Sequence, residues 1–344
     1  MCGVLRGTSL RCWRRGRGGA LTGCLDIDVV VPTYHRPELL IQCLHALAAQ
    51  THRARNVIVV CRADDKESKR ALATIDDRRL PLVVVTVTDS GVIAATSAGV
   101  ARSTAPFVAF TDDDSQPQAE WLEKVVGRFR DQAVGGVGGR DLVVGNTLET
   151  ASEVGIYRWS GKLVGNHHAG EGPAREVDVL KGVNMAFRVE ALALPAPGIL
   201  RGEGAQVDFE LLMCAWTRRQ GWRVLYDPAI LVDHYPGPRR GADQRIQPEW
   251  RAVFDAAYNS IIATAILEQR VPVLRIGYPI AIGSRDRPGL VRGAVALFRR
   301  ESDVLSRLVP ALAGRLFAVL KLLLSTSLRQ GAVVVLAKDL RHEL

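Results

Sequence analysis

The chain has 344 residues, 47% of them hydrophobic and 24% charged, which excludes wholesale disorder and leaves room for a sizeable core in one or two domains. The net charge of +9 sits at the ends: residues 1–25 hold five arginines and no acid, residues 284–344 hold eleven basic residues against five acids, and residues 26–283 carry −2. A near-neutral body excludes a nucleic-acid-binding core, whose basic surface belongs on the folded domain, whereas basic ends suit solvent or an anionic membrane surface.

Residues 1–25 contain no apolar run of signal-peptide length and read as a basic, disordered leader. A domain is expected over 26–245. It opens on the β-branched strand IDVVVPT (27–33), followed by a helix over 37–50 in which Leu39, Leu40, Cys43, Leu44 and Leu47 recur at helical spacing behind Pro37. A strand (56–62), a helix (67–75), a strand (81–88), a helix (91–102) and a strand (105–114) follow. This alternation predicts an α/β fold, a mixed but mostly parallel Rossmann-like sheet with helices on both faces. None of the six cysteines forms a C-x-x-C pair; Cys43 and Cys61 lie in apolar runs, and a reducing, cytoplasmic setting is the simplest expectation.

In such sheets ligands bind at the carboxyl ends of the strands. Three predicted strands end in polar clusters, at 33–36, 62–65 and 112–114, which one crevice would collect. The last cluster is Asp112-Asp113-Asp114. Adjacent carboxylates repel unless a cation neutralises them, and Mg²⁺ or Mn²⁺ prefers oxygen ligands shared with phosphates. A solvated acidic loop or a helix cap is the alternative. Farther on, residues 246–344 are expected to form a helical extension. Its segment 308–325 is apolar but broken by Arg315 and Lys321, too costly for a spanning helix. Lys321, Ser325 and Arg329 fall on one helical stripe, so 300–338 reads as amphipathic helices resting on the body, a partner or a membrane interface.

Four segments in order carry a family resemblance: VVVPTYHRPELL (29–40), FTDDDSQP (110–117), KGVNMAFR (181–188) and VDFELLMCAWTRRQGWRVLYDPAILVDH (207–234). Over roughly residues 27–240 the body resembles glycosyltransferase family 2, inverting enzymes of the GT-A fold. The resemblance implies a nucleotide-sugar donor and a hydroxyl acceptor such as a glycan, glycolipid or cell-envelope precursor, at times lipid-linked. It also implies an Mg²⁺ or Mn²⁺ cofactor and work at the inner face of the plasma membrane. Pro32, Thr33, Tyr34 and Arg36 would border the nucleotide. Asp64 or Asp65 would contact the base, although VVCRADD departs from the common V-D-D-G-S form. Asp112 would face the ribose and Asp114 the metal, with Asp113 beside them. Gly182, Asn184 and Met185 would line the acceptor side, His234 would complete the metal or diphosphate site, and Arg239 would clamp the diphosphate.

The catalytic base is ambiguous. The family form is E-D-x-D-L, with the base eleven residues before a glycine; here Glu210 lies eleven residues before Gly221 and Asp208 thirteen. Ungapped spacing favours Glu210, and likeness to E-D favours Asp208. Two other functions remain open from the sequence. A sugar-phosphate nucleotidyltransferase would need a glycine-rich loop that PTYHRPE lacks. A non-catalytic binding protein on the same fold is suggested by the substitutions at 61–65 and Val207.

Overall fold

The computed structural model describes residues 25–75, 80–145, 150–237, 249–267, 273–325 and 334–341. Its first half follows the expected alternation: β1 (Ile27–Thr33), α1 (Pro37–Ala48), β2 (Asn56–Arg62), α2 (Lys66–Leu72), β3 (Leu82–Val87), α3 (Val92–Arg102) and β4 (Phe107–Phe110). These strands lie in the order β3-β2-β1-β4, all parallel. Val29 and Val31 join one core layer with Leu44 and Trp121, while Val30 joins the other with Ile58 and Phe187. Period-two alternation therefore buries both faces, which requires a continuous β-branched run.

The second half is mixed. After β4 come β5 (Ser115–Pro117), α4 (Trp121–Arg128), β6 (Val134–Val143), β7 (Ile156–Tyr157), β8 (Leu163–Val164), β9 (Arg175–Glu176), β10 (Met185–Arg188), β11 (Ala193–Pro195), α5 (Phe209–Arg219) and β12 (Arg223–His234). The sheet continues β4-β10-β6-β12-β5, with β10 antiparallel to both neighbours and β12 parallel to β6. The acidic triplet is thus a turn between β4 and β5 rather than the last residues of one long strand. Strand β6, VGGVGGRDLV, carries glycine where its neighbours come closest. A Cβ at Gly139 would stand 1.9 Å from the Ile230 carbonyl oxygen, beside the register shift in β12 between Asp227 and Leu231.

The C-terminal segment holds α6 (Trp250–Leu267), α7 (Val273–Ala281), α8 (Leu290–Arg299) and α9 (Ser302–Leu324). It is not wholly helical: β13 (Val334–Leu336) pairs antiparallel with β11, and α10 (Ala337–Leu340) follows. Arg341 then donates to Ser103 Oγ and the Ala105 carbonyl, tying the tail to the first half. Arg315 is 2% exposed and donates Nη1 to the Pro288 carbonyl at 2.6 Å. Lys321 lies over the Tyr258 ring, 5.5 Å from its centroid, and Arg329 falls outside the described residues. A buried guanidinium here satisfies backbone carbonyls that would otherwise be desolvated. Among the described residues no helix is long and apolar enough to cross a membrane.

Candidate active site

A cavity of about 480 Å³ opens at the carboxyl ends of β1, β2 and β4, a volume suited to a small-molecule ligand. Strand β1 ends at Thr33; His35 then takes a left-handed conformation (φ 54°), and Pro37 starts α1. This turn brings Pro32, Thr33, Tyr34 and Arg36 to the cavity wall.

The three aspartates divide in direction. Asp113 is fully buried and points behind the wall, accepting from Thr33 Oγ1 at 2.7 Å and lying 2.6 Å from Arg36 Nη2. Burial drives its carboxyl up to about 7, against the pull of Arg36. Asp112 and Asp114 instead line the cavity. Antiparallel pairing of β5 with β12 sets His234 opposite Ser115, which places the imidazole beside Asp114, Nε2 to Oδ1 3.4 Å. Burial alone would raise the Asp114 pKa, but His234, Arg36 and the Gly237 N–H together hold it down to about 2. For His234, burial is outweighed by Asp114 and Asp141, which lift it to about 9.

Asp112, Asp114 and His234 each offer a ligand atom, all within 4.8 Å of one another. Neither nitrogen of the buried His234 ring makes a well-formed hydrogen bond. Two carboxylates and an imidazole at such spacing suit Mn²⁺, and an oxygen-preferring Mg²⁺ less closely. Behind them lies Asp141, a buried carboxylate on β6 bonded to Lys181, with His234 Nδ1 3.7 Å away. The residues therefore fit a divalent cation.

At the far wall, α5 begins right after Asp208. That residue has φ 73°, a costly conformation for a non-glycine residue, and its carboxylate accepts from Arg287 Nη1 at 2.8 Å. Glu210 Oε1 accepts from the Gly182 N–H at 3.3 Å; burial pushes its carboxyl up to about 7, with the charges of Asp208 and Asp112 adding to the rise. Both carboxylates border the cavity, as does Gly182. Gly182 has no side chain to spare, since a Cβ there would sit 3.0 Å from Glu210 Oε1.

Other expected residues stand apart from the cavity lining. Asn184 is 1% exposed, and its amide is spent on Trp121 Nε1 and the carbonyls of Arg140 and Ile230. Met185 is buried in the core of β10. Asp65 caps α2 through Ser68 N and also accepts from His35 N. Asp64 accepts from the Tyr34 hydroxyl at 3.2 Å. Arg239 lies outside the described residues.

Sequence reasoning missed Asp89, Asp141 and Arg287, and placed Arg62 at the crevice only as part of the 62–65 cluster. Arg62 ends β2, borders the cavity and stacks over the Tyr34 ring, 4.6 Å from its centroid. It follows Cys61 in the VVCRADD segment, where the family resemblance assigns a specific role only to the two acids. Arg287 comes from the far C-terminal segment, and no local pattern marks it.

A mixed sheet with an acidic turn and a histidine strand end meeting at one crevice is the GT-A architecture of glycosyltransferases. Residues 28–192 match glycosyl transferase family 2. It is 30% identical over 118 residues to glycosyltransferase AglE of Haloferax volcanii, a match covering 33% of this chain and 38% of that protein. It is 27% identical over 228 residues to the glucosyl-dolichyl phosphate glucuronosyltransferase of the same organism, covering 61% and 69%. The chain thus spans little more than a third of the first relative and about two thirds of the second. Among solved structures, the mannosyltransferase PcManGT of Pyrobaculum calidifontis, in complex with GDP-Man and Mn²⁺, superposes with a TM-score of 0.52 at 16% identity and 89% coverage of both chains.

Proposed function

We propose that the protein is a metal-dependent inverting glycosyltransferase that moves a sugar from a nucleotide-diphosphate donor to a hydroxyl acceptor. The observation that carries this reading is the Asp112–Asp114–His234 cluster facing the Asp208–Glu210 pair across one cavity. Tyr34 and Arg62 offer a stacked surface for a base, and Asp112, on the same cavity wall, would face the ribose. Asp114 and His234 would hold Mn²⁺ or Mg²⁺, which when bound neutralises the diphosphate as it leaves. Arg36, fixed by Asp113 and Asp114, adds a fixed positive charge beside that site. Lys181, paired with Asp141, keeps the second carboxylate near His234 from repelling the donor.

Asp208 is the base in this reading. It takes the proton from the acceptor hydroxyl as that oxygen forms a bond to the anomeric carbon, and the bond to the diphosphate oxygen breaks on the opposite face. Arg287 orients the Asp208 carboxylate, in keeping with a base aligned by a third group. Glu210 positions the loop of Gly182. A second reading makes Glu210 the base, favoured by its carboxyl near 7, where a general base works best. The acceptor class is a glycan or a lipid-linked precursor; the relative named for a dolichyl-phosphate substrate supports the latter.

The test is sugar transfer and donor hydrolysis with a panel of nucleotide-sugars, with Mn²⁺ and with chelator. Mn²⁺-dependent release of nucleoside diphosphate supports the reading. Donor binding without turnover would indicate a binding protein, and pyrophosphate release from a nucleoside triphosphate and sugar phosphate would indicate a nucleotidyltransferase.

A further inference from the structure

Helices α8 and α9 are inverted relative to ordinary surface helices, which hide apolar side chains and expose polar ones. In α8 the buried residues are Gly293 and Ala296, and Gly293 is pressed so close to Leu308 of α9 that a Cβ would meet it at 2.5 Å. Its large side chains, Leu290, Val291, Val295, Leu297 and Phe298, all face solvent, Phe298 at 91% exposure. Helix α9 repeats the pattern over its second half: besides Val304, Pro310 and Ala311 it buries Gly314, Arg315 and Ala318, and it exposes Val309, Leu316, Leu320, Leu323 and Leu324, which recur on one face. Trp250, 55% exposed, stacks on Phe254, which meets Phe317 of α9 and so extends the patch with an interfacial aromatic. Large apolar side chains exposed in this number on two packed helices mark a contact surface.

The charges around the patch identify what covers it. Exposed Arg292, Arg299 and Arg300 border the apolar side chains of α8, a helix with no acid. Of the acids close by, Asp286 pairs with Arg307 and Asp303 with Arg285, which leaves Glu301 as one carboxylate beside three arginines. A second copy joined through α8 would set arginines against arginines, with no carboxylate in the helix to answer them. An anionic bilayer answers them with lipid phosphates while its acyl boundary takes the leucines and Phe298. We infer that α8 and the outward face of α9 form an in-plane membrane anchor that seats the protein on an anionic lipid surface. The anchor lies at 290–324 and so begins earlier than the 300–338 segment expected from the sequence.

The anchor also adjoins the cavity. Residues 283–289 link α7 to α8, bridged between Gly283 and Pro288, and from this link Arg287 reaches Asp208 three residues before the first membrane-facing leucine. Buried Arg315 of α9 holds the link by the carbonyls of Arg287 and Pro288. An acceptor head group anchored in the same bilayer would therefore approach from the Asp208 side. This last step rests on the proposed transfer reaction; the anchor itself does not.

The experiment is co-sedimentation of the full chain with phosphatidylcholine vesicles with or without phosphatidylglycerol, beside light scattering for oligomeric state. The expected result is binding to anionic vesicles that weakens as salt shortens the Debye length from about 10 Å at 0.1 M to about 3 Å at 1 M. The L297S/F298S variant should lose binding. R292Q/R299Q/R300Q should lose about fivefold per arginine at low salt. Both should keep the wild-type thermal midpoint and Mn²⁺-dependent donor hydrolysis, since these side chains are exposed and outside the cavity. Wild-type protein that stays off anionic vesicles at low salt overturns the anchor. So does a wild-type dimer that L297S/F298S converts to monomer. Failure of donor hydrolysis with vesicle binding intact would overturn the transfer reaction and leave the anchor standing.

Discussion

Replacing Asp208 by asparagine separates the two readings of the base. Asparagine keeps the size of the side chain and tolerates the left-handed backbone (φ 73°) at least as well as aspartate. Its amide oxygen can still accept from Arg287, whose 2.8 Å pair with Asp208 is partly solvent-screened. The cost in stability is therefore small, about 1 kcal/mol or less. The cost in rate is large, because an amide cannot take the acceptor proton; loss of a general base removes about 10²–10⁴-fold. Glu210→Gln should behave differently: its amide oxygen still accepts the Gly182 N–H, so transfer falls by no more than about tenfold, within the scale of one neutral hydrogen bond. Transfer rates, donor affinity and thermal midpoints of both variants, with rates followed from pH 5 to 9, supply the measurement. A base must be deprotonated, so its loss of activity appears as pH falls through its pKa. Were Glu210 the base, wild type would lose activity below about 7, and Glu210→Gln would be the inactive variant. Active Asp208→Asn beside inactive Glu210→Gln refutes the assignment to Asp208.

Two further outcomes follow from packing. Asn184→Ala should destabilise by about 2–4 kcal/mol in chemical denaturation, since it orphans the Trp121 indole N–H and two buried carbonyls; a changed acceptor KM with an unchanged midpoint would return Asn184 to the acceptor side. Gly139→Ala should cost about 1–3 kcal/mol or more, because its Cβ would collide with the Ile230 carbonyl at 1.9 Å; a wild-type denaturation midpoint would show that β6 and β12 can separate there without penalty.

The first half of the fold was legible because β1, β2 and β4 are buried on both faces and so declare themselves as continuous apolar runs; β1 and β2 have the bounds read from the sequence. Strand β6 was hidden because close approach of Phe187 and Ile230 demands glycine where a strand signal would otherwise stand. The acidic turn was singled out by residue type and His234 by the family resemblance, but their meeting depends on the antiparallel β5–β12 pairing, which no spacing encodes. For the same reason Asp141 and Arg287 were invisible, since each reaches the site from an element remote in sequence. Asn184 was misleading in the opposite way: a polar residue beside a motif glycine reads as a ligand contact, yet here it buttresses Trp121 from behind. The outward apolar faces of α8 and α9 could not be read from periodicity alone, because an amphipathic pattern does not say which side meets the body.

The most direct test of metal-dependent donor recognition is calorimetric titration of wild type and Asp114→Ala with nucleotide-sugars, with and without Mn²⁺. Wild type should bind a donor at least about tenfold more tightly with Mn²⁺, and Asp114→Ala, having lost an oxygen ligand beside His234, should lose that increment while keeping its fold. Equal Mn²⁺-dependent affinity in the two proteins would contradict the assignment of the metal to this cluster.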